Sequence, residues 1–128
     1  MNKATLGATR VLVVDDDAAI REFLRDLLDL EGYVVEEAVN GAEAVERVRA
    51  DPPSAVLMDL MMPILSGAEA TSRLKSDPST ARIPILAMSA GRNLAAMSST
   101  FPADGFVSKP FDLPLLVAAL AKHTRPCL

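Results

Sequence analysis

The sequence predicts an α/β fold in which five short strands of a mostly parallel sheet alternate with five helices. Two observations support this fold class. Short continuous apolar runs, typical of strands buried on both faces of a parallel sheet, occur at Val11–Val14, Ala55–Met58 and Ile83–Met88. The segments between the runs are amphipathic with helical spacing. Alternating elements of this kind form mostly parallel sheets with right-handed crossovers.

Two further strands are expected to be less buried. Tyr33–Ala38 carries two glutamates and predicts a strand near an edge of the sheet, and Gly105–Ser108 predicts a short fifth strand. Pro84 lies early in its apolar run. Because proline has no N–H to donate, we expect it among the first residues of that strand.

Several helix ends carry capping residues. Asp17, Asn40, Ser66 and Asp112 each precede a helical segment and can accept a hydrogen bond from its first N–H groups. Gly32 follows the first helix and predicts that this helix ends in a left-handed residue. The first helix has apolar residues at the spacing of an inward face, namely Ile20, Phe23, Leu24, Leu27 and Leu28.

The composition predicts one globular domain. The chain has 128 residues, of which 50% are hydrophobic and 23% are charged. Its net charge of -4 lacks the basic footprint of a nucleic-acid binder, so we expect no direct nucleic-acid partner. No apolar stretch approaches the roughly 20 residues of a membrane span, and residues 1–9 lack a signal peptide. With Cys127 as the single cysteine, these features favour a cytoplasmic protein without membrane partners.

Polar residues follow four of the five predicted strands. The first strand is followed by Asp15–Asp17, the third by Asp59, the fourth by Ser89, and the fifth ends at Ser108 and Lys109. The carboxyl ends of parallel strands meet at one edge of a sheet, where such folds bind their ligands. We therefore expect carboxylates, a hydroxyl and an ammonium to gather in one cleft.

The acidic residues of this cleft predict a divalent-cation site. Asp15, Asp16 and Asp59 would repel one another unless a cation lay among them. Their oxygen ligands favour Mg2+ or Mn2+, whereas a softer metal would require histidine or cysteine. Helix capping is the other role open to a strand-end aspartate, and it suits Asp17. Capping explains at most one acid per helix and does not explain Lys109 directly after a strand.

Four motifs follow one another along the chain: Val-Leu-Val-Val-Asp-Asp-Asp, Leu-Met-Asp-Leu-Met-Met-Pro, Met-Ser-Ala and Phe-Val-Ser-Lys-Pro-Phe. In this order and spacing, over about residues 10–123, the chain resembles the CheY-like receiver domains of bacterial two-component response regulators. The resemblance implies a flavodoxin-like sheet of order 2-1-3-4-5 with five helices. It divides the chain into an N-terminal extension (1–9), a receiver domain (10–124) and a C-terminal tail (125–128).

The resemblance also implies a role for each residue of the cation site. Asp59 matches the phosphoacceptor, which also binds the metal. Asp16 matches the direct Mg2+ ligand, and Asp15 matches the ligand that acts through water. Met61 matches the residue that offers its backbone carbonyl to the metal. The expected cofactor is Mg2+, with Mn2+ as an alternative.

Three more residues match the parts that bind the phosphoryl group and report it. Ser89 matches the hydroxyl residue that binds one phosphoryl oxygen, and Lys109 matches the lysine that neutralises another. Ser89 and Phe106 match the switch pair that alters the surface of the fourth helix, fifth strand and fifth helix. A fixed core position is the alternative for Phe106. The segment from Ser89 to Lys109 is about two residues shorter than usual, and the fourth helix, within residues 91–101, is expected to be short or irregular.

The expected partners are proteins. The resemblance implies a phosphohistidine donor on a sensor histidine kinase or a histidine phosphotransfer protein, with a downstream target that the sequence does not identify. A homodimer that forms on phosphorylation is a further expectation. The chain is expected to assist only its own phosphorylation and dephosphorylation. We expect a stand-alone receiver; the alternative is a receiver excised from a larger regulator or a hybrid kinase.

Two other classes of protein fit less well. A haloacid-dehalogenase-like phosphatase needs a second aspartate two residues after its nucleophile, where this chain has Met61. A nucleotide-binding module needs a glycine-rich loop after the first strand, where Asp15–Ala19 contains no glycine. His123 lies in the predicted last turn and is interpreted as a surface residue rather than a phosphorelay histidine.

Overall fold

The computed structural model describes residues 9–60, 62, 65–89, 102–109 and 111–124. Their elements are, in chain order, β1 (Arg10–Val14), α1 (Ala18–Leu30), β2 (Val34–Ala38), α2 (Gly41–Ala50), β3 (Ala55–Asp59), α3 (Gly67–Ser76), β4 (Ile85–Ser89), β5 (Gly105–Ser108) and α4 (Leu113–Thr124). The α4 helix is the fifth helix that the sequence predicts. The predicted fourth helix, within residues 91–101, lies outside the described residues.

The five strands form one parallel sheet in the order β2-β1-β3-β4-β5, as the resemblance implied. The central strands β1, β3 and β4 are almost wholly buried, whereas the edge strand β2 is half-buried along most of its length. This difference matches the sequence, because only β2 carries glutamates. The β4 strand begins at Ile85, so Pro84 lies directly before the strand and not among its first residues, because proline has no N–H to donate to the sheet.

Each face of the sheet carries its own layer of helices. Alternate residues of a strand point to opposite faces, so Leu12 and Val14 pack toward α2 and α3, while Val11 and Val13 pack toward α1 and α4. Large apolar side chains buried in this way stabilise the fold by about 1.5–3 kcal/mol each. No helix in the described part of the chain is long and apolar enough to cross a membrane.

The predicted caps are present. The side chains of Asp17, Asn40, Ser66 and Asp112 each accept a hydrogen bond from a helix N–H, at 2.9, 2.8, 3.2 and 3.2 Å respectively. Gly32 has a φ of 93°, which is the left-handed conformation expected after α1. Each cap fixes the residue at which a helix starts, and the cap of α1 therefore also fixes the loop that follows β1.

Phe23 departs from the prediction. Its spacing placed it on the inward face of α1, yet it is 46% exposed, whereas Leu24 and Leu28 are fully buried. Leu24 and Leu28 lie near the middle of the apolar face of α1, whereas Phe23 lies at the margin of that face. Its ring stacks instead on Phe111, with ring centroids 6.4 Å apart and an interplanar angle of 10°.

Two glycines allow close backbone contacts beside the end of β3. The Gly67 N–H donates to the Leu60 carbonyl at 3.2 Å, and a Cβ atom at Gly67 would overlap the carbonyl oxygen of Asp59. The Gly41 N–H donates to the Leu65 carbonyl at 3.0 Å, and a Cβ there would overlap that same carbonyl. The starts of α3 and α2 therefore pack closely against the backbone of Leu60 and Leu65.

Replacing Gly67 with alanine is expected to destabilise the protein by about 1–3 kcal/mol, because the new methyl group meets rigid backbone. The matched control is Gly105→Ala, whose Cβ would meet the movable end of the Leu86 side chain and should cost less. The free energy of unfolding, measured with urea, tests both variants. Equal losses of unfolding free energy in the two variants would contradict the proposed effect of the close backbone contact at Gly67.

Candidate functional site

Three carboxylates meet at the carboxyl edge of the sheet. Asp15 follows β1 and Asp59 ends β3, and these two strands are hydrogen-bonded neighbours. One carboxylate oxygen from each of Asp15, Asp16 and Asp59 lies within 4.8 Å of the other two. Asp15 and Asp59 are buried, whereas Asp16 is exposed. The structure thus brings together the acidic residues that the sequence placed in one cleft.

Lys109 joins the two buried carboxylates. Its Nζ lies 2.7 Å from Oδ2 of Asp15 and 3.4 Å from Oδ1 of Asp59. Its backbone N–H donates to the carbonyl of Ser89 at 2.9 Å, so the residue leaves β5 in register with the end of β4. From there its side chain reaches across the end of β3 to the loop after β1.

The charges around Lys109 keep it protonated. Burial alone would lower the pKa of Lys109, but its hydrogen bond to Asp15 and the charges of Asp15 and Asp59 outweigh that effect. The pKa of Lys109 is therefore raised above its ordinary value of 10.5. A raised lysine pKa means that the ion pair stabilises the fold fully below the ordinary pKa, and this stabilisation is lost as the pH rises through the raised pKa. Lys109 is accordingly an ammonium at neutral pH.

The backbone around Asp15 is held by three hydrogen bonds. The Asp15 N–H donates to the Ala38 carbonyl at 3.2 Å, and its Oδ1 accepts from the Asp17 N–H at 2.9 Å. Its carbonyl accepts from Nη1 of Arg21 at 2.7 Å, and Nε of Arg21 donates to Oε1 of Glu37 at 3.0 Å. The sequence patterns did not point to Arg21 or Glu37. The available signal was an arginine one turn after the cap Asp17.

The remaining predicted site residues lie at or beside the same edge. Ser89 ends β4 and is 9% exposed, and it pairs with Ser108 in the register of β4 and β5. Phe106 lies within β5 opposite Ala87 and is half-buried. Met61, the predicted carbonyl ligand, lies outside the described residues.

The donor set fits a hard divalent cation. All three side chains offer carboxylate oxygens, and their spacing allows one ion to contact more than one of them. Mg2+ takes one or two carboxylates directly and keeps several waters, which suits a site with two buried acids and one exposed acid. Asp15, Asp16 and Asp59 are the residues that would hold such an ion.

An apolar hollow adjoins the acidic cluster. It has a volume of about 460 Å3 and is lined by Ala19, Ile20, Phe23, Lys109, Phe111 and Leu113. Lys109 belongs to both places, because its ammonium contacts Asp15 and Asp59 while its side chain forms part of the hollow. The stacked rings of Phe23 and Phe111 therefore lie beside the charged site.

Comparison with known proteins identifies a family. Residues 11–121 match the family model of the response regulator receiver domain. The chain is 40% identical over 124 residues to the response regulator MprA of Mycobacterium bovis, and the alignment covers 93% of this chain and 53% of MprA. The chain thus spans about half the length of the curated relatives it matches.

Solved structures agree with this match. The response regulator TrrA of Thermotoga maritima, in complex with Mg2+ and BeF, has a TM-score of 0.82 and 31% identity, with 90% of this chain and 98% of TrrA covered. The chemotaxis protein CheY4 of Vibrio cholerae has a TM-score of 0.81 and 26% identity, with 91% and 98% covered. Sequence and fold lead to the same result, and the chain belongs to the response regulator receiver domains of two-component systems.

Proposed function

We propose that this receiver domain accepts a phosphoryl group on Asp59 from a phosphohistidine donor, in a reaction that requires Mg2+. The observation that carries the proposal is the Lys109 ammonium bound between Asp15 and Asp59 at the edge where Asp16 also lies. The site combines a carboxylate nucleophile with fixed positive charge, which phosphoryl transfer requires. TrrA, with 31% identity, binds Mg2+ and BeF, and this supports the same metal here. Mn2+ offers the same hard-ligand chemistry.

The residues of this chain have separate tasks in the transfer. A carboxylate oxygen of Asp59 forms a bond to phosphorus as the bond from phosphorus to the histidine nitrogen breaks, and that nitrogen keeps the electron pair. Lys109 neutralises one phosphoryl oxygen, and the hydroxyl of Ser89 donates a hydrogen bond to another. A cation held by Asp15 and Asp16, by Asp59 itself and by the Met61 carbonyl would supply the remaining positive charge.

The apolar hollow beside Lys109 is the proposed docking site of the phosphodonor protein. Its lining is continuous with the phosphoryl site through Lys109, so a helix resting on Phe23 and Phe111 would place its histidine toward Asp59. Receiver domains pair with histidine kinases. The donor proposed for this chain is therefore a sensor kinase or a histidine phosphotransfer protein rather than a small metabolite alone.

The proposed output is a change in protein–protein contacts. Ser89 ends β4 and Phe106 lies on the neighbouring β5, an arrangement that supports their action as a switch pair. The affected surface would comprise the predicted fourth helix within residues 91–101, the strand β5 and the C-terminal helix α4. The same surface would support a phosphorylation-dependent homodimer.

We propose a cytoplasmic receiver, encompassing residues 10–124, that binds neither nucleic acid nor membranes. MprA is about twice as long, whereas CheY4 is covered almost completely, so both the stand-alone and the larger arrangement have relatives.

Incubation with acetyl phosphate and Mg2+ is expected to add one phosphoryl group to the wild-type chain and none to Asp59→Asn, because the amide removes the nucleophilic oxygen. Intact mass measures the addition. Asp26→Asn, which changes an exposed aspartate of α1, is the matched control and should be labelled like the wild type. Labelling of Asp59→Asn would contradict the assignment of the acceptor.

Replacing Lys109 with alanine is expected to slow phosphorylation by acetyl phosphate by about a hundredfold at saturating Mg2+, because one phosphoryl oxygen loses its fixed positive charge. Lys122→Ala removes an exposed lysine of α4 and should leave the rate unchanged. Rates come from intact mass over time. A rate for Lys109→Ala close to that of Lys122→Ala would refute the role of the ammonium.

Replacing Phe23 with alanine is expected to separate the two kinds of donor. Transfer from an autophosphorylated kinase that labels the wild type should fall about tenfold, because the hollow loses one of its two stacked rings. Transfer from acetyl phosphate should not change. Leu30→Ala, at an 82% exposed position of the same helix, is the control and should affect neither rate. Equal losses with both donors would argue against docking at Phe23.

A further inference from the structure

We propose that Arg21 is a positioning residue for the cation site and that it sets the affinity of the site for Mg2+. This inference rests on the proposed function, because it concerns the same three carboxylates. Arg21 lies on α1 and is not a ligand candidate, since its guanidinium is positively charged. It acts through the backbone that carries Asp15 and Asp16.

The contacts of Arg21 are directional. Nη1 donates to the carbonyl oxygen of Asp15 at 2.7 Å, while Nε of the same planar group donates to Oε1 of Glu37 at 3.0 Å. The Arg21 side chain is only 15% exposed. A planar guanidinium that is fixed by a carboxylate on β2 can hold an acceptor in one place, which a flexible ammonium does less well.

The peptide that Arg21 holds is the one that joins Asp15 to Asp16. Asp15 is already fixed by its N–H, its buried carboxylate and Lys109. Asp16 is exposed, so its direction depends on the orientation of that peptide plane. Partners that orient metal ligands without touching the metal commonly govern metal affinity. Losing the bond from Arg21 would leave Asp16 free to turn away from Asp15 and Asp59.

The charge of Arg21 and its role in orienting Asp16 predict opposite effects of its removal on the affinity for Mg2+. The sign of the change therefore tests the proposal. Removal of a positive charge near three carboxylates would, by Coulomb attraction alone, strengthen the binding of a cation. Removal of the bond that orients Asp16 would weaken it. A weaker Mg2+ affinity in a folded variant is therefore a signature of positioning, which neither a charge effect nor a general structural role would produce.

Arg25 provides a matched control. It lies one turn further along α1, carries the same charge, and its Nη2 lies 2.7 Å from Oε2 of Glu37, the residue that also fixes Arg21. The hydrogen bond to the Asp15 carbonyl comes from Arg21. Arg25→Ala thus removes an arginine and a salt bridge to Glu37 while keeping the bond that the proposal requires.

The experiment is titration calorimetry of Mg2+ into the wild type, Arg21→Ala, Arg21→Lys and Arg25→Ala, with thermal unfolding in EDTA to establish that each variant is folded. The Kd for Mg2+ is expected to rise about tenfold in Arg21→Ala. Arg21→Lys should be intermediate, because it keeps the charge and one donor but loses the planar pair. Arg25→Ala should keep the wild-type affinity.

Three results would overturn the inference. They are an unchanged or lower Kd in folded Arg21→Ala, an equal loss in Arg25→Ala, and, if Arg21→Ala does not fold, a wild-type Kd in Arg21→Lys. Absence of Mg2+ binding in the wild type would instead overturn the proposed function. The two failures are therefore distinguishable in one set of titrations.

Discussion

The ion pair of Lys109 with Asp15 and Asp59 is the interaction on which the site depends. Two buried carboxylates at neighbouring strand ends would repel each other strongly without a positive charge between them. The lysine comes from the far end of the sheet, after β5, and its backbone is fixed on the Ser89 carbonyl. The order of the strands is thus what allows a residue so distant in the sequence to neutralise the residue that follows β1.

Lys109 neutralises only part of the negative charge in the cluster. The net negative charge that remains determines what the site can bind. Three carboxylates and one ammonium leave the cluster negative, which attracts a divalent cation. A bound cation would make the total charge favourable for the phosphoryl group of the proposed transfer. The burial of Asp15 and Asp59 strengthens each of these interactions, because water screens them less. The exposed Asp16 adds its charge at the open side, where its position depends on the backbone rather than on packing.

Much of this arrangement was predictable from the residues. The buried strands are continuous apolar runs, and the polar residues directly after them predicted that Asp15, Asp59, Ser89 and Lys109 would share one edge. The strand order came from the resemblance alone, since residue patterns do not specify which strands are neighbours. The bond from Arg21 to a backbone carbonyl was not predictable, because every residue has a carbonyl and its direction is set only by the folded chain. The exposure of Phe23 followed from its angle on α1, which apolar spacing defines only coarsely.

The glycine contacts beside β3 have a consequence for anyone redesigning this scaffold. Gly67 brings the start of α3 against the backbone of Asp59 and Leu60, and Gly41 brings the start of α2 against the backbone of Leu65. Neither contact can be relieved by moving a side chain, because the atoms nearest to both glycines belong to the backbone. Variation in a library is therefore better directed to the outer faces of the helices, and chimaeric domains should exchange β3 together with the first turns of both helices as one block.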